Sequence, residues 1–198
     1  MFPLGTVLFP HASLALHVFE PRYRALVTDC LHGDWQFGVV LIERGHEVGG
    51  GDQRFDVGTV ATIVDAAQYP DGRWMIEAVG GRRIRVDEWL PDDPYPLALV
   101  DDLPDSPPVL PDGFERAELA VRRALALLAE LDVAAPPTPR LVLDDDPDVA
   151  AWQLAAAAPL NPMDCQRLLE ADDADARLAL LADLAADAAD LLAFRLGH

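Results

Sequence analysis

In the first half of the chain, apolar and polar residues alternate with the period of two that is typical of half-buried β-strands. In residues 14–19, two leucines and a valine face one way, and Ala15, His17 and Phe19 face the other. Similar short runs recur, separated by turn residues. The pattern predicts strands at 4–9, 14–19, 36–42, 57–68, 73–80, 82–89 and 96–101.

One helix is predicted among these strands, from Pro21 to Leu31. Proline suits the first helical position because its φ angle is already helical, and Gly33 lies just past the other end. Apolar residues recur at helical spacing and share one face, which we expect to be buried. They are Tyr23, Leu26, Val27, Cys30 and Leu31.

Three glycine-containing segments are predicted to break the strands. Pro70-Asp71-Gly72 indicates a tight hairpin turn, because proline fixes φ and glycine accepts a positive φ. Gly80-Gly81 is predicted to turn the chain into the next strand. The segment Glu43–Asp56, which contains three consecutive glycines, is predicted to be a mobile loop.

The second half of the chain is predicted to be helical. Residues 103–112 contain four prolines, which disfavour both helices and central strands, and are expected to form a linker. Beyond the linker, Asp146 and Asn161 precede proline and are expected to cap helices. The last helix is expected to bury Leu178, Leu181, Ala185, Ala188 and Leu192. The predicted organisation is therefore a β-rich part at 1–102, a linker at 103–112 and a helical bundle at 113–198.

Charge changes the picture of possible partners. The net charge is −19, and residues 91–198 carry 22 acidic residues against 7 arginines. Such a field repels phosphate backbones, so nucleic acid is not expected as a partner. No apolar run is long enough to cross a membrane, and no basic, then apolar, export signal opens the chain. We therefore expect a cytoplasmic protein without membrane association.

The histidines, serines and cysteines do not occur in the spacings or motifs of known metal sites or catalytic nucleophiles. The five histidines lack metal-site spacing, so neither a metal nor another cofactor is expected. Ser13 and Ser106 lie outside any Gly-x-Ser-x-Gly motif. Cys30 falls on the buried helix face, where an apolar environment raises the pKa of a thiol. Nucleophilic catalysis is not expected.

The basic cluster Arg82, Arg83 and Arg85 follows the Gly80-Gly81 pair. Guanidinium groups could bind a carboxylate or phosphate there, or Arg83 and Arg85 could simply project from the solvent face of a strand. The large aromatic residues also allow two interpretations: they could pack in the core or form a peptide-binding surface. Trp35 and Trp74 are the candidates for the surface.

Glu20, Arg22 and Tyr23 also allow two interpretations. They could form a catalytic group of an acid, a cation and a phenol. Alternatively, Glu20 caps the N-terminus of the helix at Pro21, and Arg22 pairs with an acid within the fold. The structural interpretation needs no substrate and is preferred.

Several of these segments occur in an order that resembles the N-terminal substrate-binding domain of Lon proteases. They are Pro3 to Pro10, the motif Phe19-Glu20-Pro21-Arg22-Tyr23, the segment 55–64 that contains Gly58, 69–73, 79–86 and 160–170. The resemblance implies an α+β fold, with a β-rich PUA-like pseudo-barrel that has one inserted helix, followed by a C-terminal helical bundle. This agrees with the order of elements derived above.

The resemblance also implies a function without turnover. All 15 basic residues are arginine, so these 198 residues contain neither the Ser-Lys pair of Lon proteolysis nor the P-loop lysine of its ATPase. The chain is similar to stand-alone bacterial Lon-domain proteins. Expected partners are unfolded or flexible peptide segments or a protein partner. The alternative is a hydrolase that draws an acid–base pair from Glu20, Glu43, Glu47 and Asp56.

Overall fold

The structure is a computed structural model that describes residues 1–44, 53–108, 110–131 and 141–197. It divides the chain into two compact units, Met1–Pro104 and Asp105–His198. The first unit is built on one mixed sheet, and the second consists of helices. The described residues form six strands and five helices, and the first helix lies between the second and third strands, so the predicted α+β class is confirmed.

The sheet of the first unit has the strand order β1-β3-β4-β5-β2, and β6 also pairs with β5. β1 and β3 are parallel, whereas the other pairs are antiparallel. The strands are β1 (Phe2–Leu4), β2 (Ser13–Val18), β3 (Gln36–Arg44), β4 (Gln53–Gln68), β5 (Trp74–Leu90) and β6 (Leu97–Asp102). β1 and β2 therefore lie at opposite ends of this strand order.

The predicted hairpin turn is confirmed. The Tyr69 N–H donates to the carbonyl oxygen of Arg73 at 2.8 Å, and Gly72 adopts φ +83°. The prediction of a strand over 4–9 is wrong, because β1 ends at Leu4. Leu8 is nevertheless buried, and its carbonyl oxygen accepts a 2.6 Å bond from the Thr59 hydroxyl. Burial here does not require a strand.

The predicted turn at Gly80-Gly81 is also wrong, since β5 continues through both glycines. A Cβ atom on Gly80 would lie 2.2 Å from the carbonyl oxygen of Phe9. The glycine therefore allows a neighbouring segment to approach the strand closely, as glycines within strands commonly do. The predicted loop Glu43–Asp56 is strand at both ends, and its residues 45–52 lie outside the described residues.

The first helix, α1 (Pro21–His32), packs its apolar face into the core of the sheet unit. Tyr23, Leu26 and Val27 are each at most 3% exposed, as predicted. The Tyr23 ring stacks on Phe2 of β1, with ring centroids 4.1 Å apart. α1 thus contacts an edge of the sheet through aromatic packing.

The second unit contains α2 (Pro111–Leu131), α3 (Pro147–Ala157), α4 (Pro162–Glu170) and α5 (Ala174–Leu196). The predicted caps are confirmed: Asp146 accepts from the Asp148 N–H, and Asn161 accepts from the Asp164 N–H, each at 3.0 Å. α5 ends at Leu196 and is followed by Gly197, whose φ of +81° suits a helix C-terminus. Sequence reasoning located these helix starts because capping depends on local residues.

α5 packs along α2 in the same direction. Asp175 accepts a bond from the Leu110 N–H next to the start of α2, and further along both helices Asp190 pairs with Arg123 at 3.0 Å. On the buried face of α5, Ala189 is fully buried while Ala188 is only half-buried. The other predicted positions, Leu178, Leu181, Ala185 and Leu192, are buried, so the prediction is wrong only at Ala188.

Candidate functional site

The predicted arginine cluster does not form a common cationic surface. Arg82 is exposed and pairs with Asp102 at 2.6 Å. Arg83 is 2% exposed, and its guanidinium donates to the carbonyl oxygen of Pro104 at 3.1 Å. The prediction that Arg83 projects into solvent is wrong, because the segment that follows β6 covers this position. Arg85 is exposed.

The two candidate tryptophans differ in exposure and lie at different places in the sheet. Trp35 is 43% exposed and precedes β3, where its carbonyl oxygen accepts a bond from the Ile63 N–H. Trp74 begins β5 opposite Gln68 and packs partly buried against the core. Trp35 and Trp74 are thus separated along β4 and do not share a cage.

Glu20 and Arg22 form a local ion pair at the start of α1. The Arg22 Nε atom lies 3.2 Å from a Glu20 carboxylate oxygen, and the guanidinium lies 4.4 Å from the centre of the Tyr23 ring. The Glu20 side chain makes no capping hydrogen bond, so that part of the prediction is wrong. These contacts give Glu20 and Arg22 internal partners next to buried Tyr23. Pro21 is the exposed first residue of the helix.

Gly58, from the segment 55–64 that resembles the Lon domain, lies within β4. A Cβ atom there would lie 2.2 Å from the carbonyl oxygen of Val39 on the neighbouring strand β3. Only glycine allows this close backbone approach. Gly58 therefore has a packing reason within the sheet.

Two carboxylates of the hydrolase alternative, Asp56 and Glu20, have contacts within the fold. Asp56 accepts a 3.3 Å bond from the Trp89 indole, and Glu20 pairs with Arg22. Glu43 is exposed at the end of β3, and Glu47 lies outside the described residues. Within the described ranges, no three His, Cys, Asp or Glu residues gather as metal ligands.

The two thiols lie in environments that oppose nucleophilic chemistry. Burial raises the pKa of the Cys30 thiol to about 11, and its Sγ atom donates to the carbonyl oxygen of Gln36 at 3.1 Å. Burial also raises the pKa of Cys165. Because the thiolate is the nucleophile, a raised pKa lowers the reactive fraction at neutral pH.

Sequence reasoning missed a surface that we call the aromatic patch, formed by His17, Phe19, Tyr69 and Met75. The His17 ring centroid lies 6.0 Å from that of Tyr69 and 6.4 Å from that of Phe19. Met75 pairs with His17 across β2 and β5. Phe19 is 51% exposed, Tyr69 43% and Met75 38%. The alternation in β2 already assigned His17 and Phe19 to one face, and this could have identified the patch.

A small pocket, here called the seam pocket, lies beside the patch between β1 and β2. It has a volume of about 80 Å³. Apolar side chains from both strands and from α1 line most of it, together with His17 and Glu20. They are Phe2, Leu4, Leu16, Val18, Phe19 and Tyr23.

The helical unit contains a larger cavity of about 360 Å³, near the starts of α2 and α5. It is lined by Leu110, Asp112, Gly113, Arg116, Asp175 and Ala179. The Asp175 carboxylate accepts a hydrogen bond from the Leu110 N–H, so one of the carboxylates that line this cavity has a partner within the fold.

Together, an α+β sheet unit with exposed aromatic side chains and a helical unit have the features of a recognition domain. The family model for the ATP-dependent protease La (LON) substrate-binding domain matches residues 1–187. The chain belongs to this family. Among the described residues, no helix is both long and apolar enough to span a membrane.

Comparisons with individual proteins agree with this family. The chain is 29% identical to Lon protease from Trichlorobacter lovleyi, over 94% of this chain and 23% of that protein. It is 30% identical to Lon protease 2 from Myxococcus xanthus, over 91% of this chain and 22% of that protein. The chain thus spans less than a quarter of the length of these relatives.

Solved structures show the same architecture. The crystal structure of a Lon N-terminal domain protein from Xanthomonas campestris matches with a TM-score of 0.66 and 30% identity, covering 92% of this chain and 95% of that one. The N-terminal domain of the Mycobacterium avium complex Lon protease matches with a TM-score of 0.62 and 19% identity, covering 93% and 97%. The second comparison shows the fold alone.

Proposed function

We propose that this chain is a non-catalytic recognition module that binds exposed segments of unfolded or flexible proteins in the cytoplasm, as part of protein quality control. The aromatic patch is the observation that carries this proposal. Phe19 and Tyr69 are aromatic and Met75 is a flexible thioether, and all three are exposed and lie next to His17. Aromatic and methionine side chains are enriched where proteins bind partners of varied sequence.

Family membership supports the same proposal. The matching family model describes a substrate-binding domain, and these 198 residues contain no lysine for the proteolytic or ATPase chemistry of Lon. The aromatic patch replaces the arginines as the proposed surface, because Arg82 is paired and Arg83 is buried. Binding is expected to be weak, in the micromolar range of small transient interfaces.

The proposal can be tested with a permanently unfolded model protein, such as a reduced and alkylated one carrying a fluorescent label. Fluorescence anisotropy should show binding that persists in salt, since apolar contacts are not screened. The double substitution of Phe19→Ser and Met75→Ser should weaken binding roughly tenfold, which corresponds to about 1.4 kcal/mol.

Leu119→Ser provides the matched control. Leu119 is 74% exposed on α2, so its substitution removes exposed apolar surface away from the patch. Binding should be unchanged in this variant. Equal losses in both variants, or no binding of the unfolded protein at all, would refute the proposed function.

A further inference from the structure

We propose that β2 is a strand-addition site, at which an extended peptide pairs with the free edge of β2, inserts one aliphatic side chain into the seam pocket and directs a Lys or Arg side chain towards Glu77. This inference rests on the proposed function and specifies its binding mode and its preferred segment. The bound segment is extended, with the aliphatic residue that enters the pocket directly next to the basic residue.

The sheet topology provides the edge. In the described part of the chain, β2 pairs only with β5, and β1 pairs only with β3. The edge of a strand presents main-chain donors and acceptors that an extended peptide can pair with. The edge of β2 runs beside the aromatic patch, so one segment can contact both.

The seam pocket provides a place for one inward-facing side chain. Successive side chains of an added strand alternate between the two faces of the sheet. Leu16 and Val18, which alternate with the patch residues along β2, line the pocket together with Phe2 and Leu4 of β1. Its volume of about 80 Å³ is roughly half that of an engineered cavity that holds benzene, which suits a single aliphatic side chain.

The outer face of the sheet provides the charge preference. Asp65 of β4 and Glu77 of β5 are direct cross-strand partners, and both are exposed. Like charges placed directly opposite destabilise a sheet. Among the described residues neither carboxylate forms an ion pair, so a cation from a bound segment would relieve this repulsion.

Ala15 leaves a path to these carboxylates. It pairs with Glu77 across β2 and β5 and is itself exposed. Strands lie about 4.8 Å apart, so a Lys or Arg side chain on an added strand can lie across the small alanine and reach Glu77. His17 is two residues from Ala15 on the same face, which places the aromatic patch next to the following outward position of the peptide.

Charge also decides between possible occupants. An acidic segment would add a third negative charge beside Asp65 and Glu77. A second copy of this chain that paired through its own β2 would bring the sequence Ser-Leu-Ala-Leu-His-Val, which contains neither Lys nor Arg. A basic and apolar segment of another protein complements this edge better than either.

The experiment uses labelled, end-capped peptides with a central Phe-Val-Lys sequence, and the reverse Lys-Val-Phe, because an added strand can run in either direction. In each peptide the amide of either the Val or the Lys residue is N-methylated. Adjacent amides of a strand point to opposite edges, so only one of the two methyl groups blocks pairing with β2. We expect that methylation to weaken binding at least tenfold in anisotropy measurements, and the other to change binding little.

A protein variant tests the charge preference. Glu77→Arg should weaken binding of the lysine peptide roughly fivefold and strengthen binding of a peptide with Glu in place of Lys. Glu88→Arg is the control, since Glu88 is an exposed carboxylate on β5 outside the β2-paired segment. Circular dichroism establishes that both variants fold.

These experiments can refute strand addition at β2 without refuting the proposed recognition function. If both methylated peptides lose the same affinity, or if Glu77→Arg and Glu88→Arg behave alike, strand addition at β2 is wrong. Loss of binding to unfolded protein in the Phe19 and Met75 double variant would still support the recognition function in that case. Loss in one methylated peptide only, together with an effect at Glu77 only, supports strand addition.

Discussion

At the residue scale, Arg177 of α5 shows how a charged side chain can be buried in the helical unit. It is 0% exposed, its guanidinium lies 3.6 Å from the centre of the Trp152 ring, and it pairs with Asp105 at 3.0 Å. A buried charge requires such partners because desolvation costs several kcal/mol. Arg177 thereby connects α5 with α3 and with the segment that precedes α2.

Replacing Arg177 with alanine should therefore destabilise the helical unit by about 3 to 5 kcal/mol, because Asp105 would lose its buried partner. Urea unfolding followed by far-ultraviolet circular dichroism measures this change. Arg167→Ala serves as the control: Arg167 pairs with Asp164 at the surface, and such pairs contribute at most about 1 kcal/mol. A similar small loss for both variants would contradict this account of Arg177.

Cys30 should react slowly with alkylating reagents. Burial raises the pKa of its thiol to about 11, from an ordinary value of 9.0, so little thiolate is present at pH 8. Mass spectrometry should show slower iodoacetamide modification of Cys30 in folded protein than in urea. Equal rates in the two conditions would show that the thiol is not protected.

The same shift has a consequence for stability at alkaline pH. The folded state keeps the Cys30 proton to a higher pH than the unfolded state, in which the thiol ionises near pH 9. Between about pH 9 and 11 the unfolded state therefore binds fewer protons, and the free energy of unfolding falls as the pH rises. Cys30→Ser should reduce this part of the decline.

At the element scale, α1 could be predicted almost completely from the sequence, whereas the strands could not. The helix start is indicated by Pro21 itself, and the buried positions by apolar residues three and four apart. Both signals are local in the sequence. The length of β5 depends on the close approach of Phe9 to Gly80, a contact between residues far apart in the chain. Without knowledge of the contact with Phe9, the pair Gly80-Gly81 is interpreted as a turn.

Leu26→Ala should destabilise the sheet unit by about 2 to 5 kcal/mol. Leu26 is 1% exposed in the core between α1 and the sheet, and truncation leaves a cavity there. Chemical unfolding measures the loss. Leu119→Ala on α2, where the side chain is 74% exposed, should change stability by no more than about 0.5 kcal/mol. A tolerant Leu26 site would mean that α1 is not part of this core.

The candidate site was only partly predictable for the same reason. The alternation in β2 assigns His17 and Phe19 to solvent, but Tyr69 and Met75 join them only through the hairpin and the register between strands. Arg83 follows the solvent-facing alternation and is nonetheless covered by the chain near Pro104. Sequence periodicity gives the face of a strand but not the segments that later cover it.

At the scale of the whole molecule, the charge distribution restricts the partners. The net charge of −19 should prevent association with DNA or RNA, because phosphate contacts supply most non-specific affinity. An electrophoretic mobility assay at about 50 mM salt should show no retardation of labelled duplex or single-stranded nucleic acid. Binding at that ionic strength would contradict this expectation and would indicate a local cationic surface that outweighs the net charge.

The length of β5 also has a consequence for how the sheet unit opens. β5 pairs with β4 on one side, while on the other side β2 pairs with its first residues and β6 with its last. Because β5 has a hydrogen-bonded partner strand on both sides, loss of any one neighbouring strand still leaves most of its amides paired. The amides of β5 should therefore exchange with deuterium only when the unit unfolds globally. The edge amides of β2 should exchange much earlier. The surface proposed to bind peptides would then belong to the part of the sheet that opens most easily, while β5 keeps the rest of the unit folded.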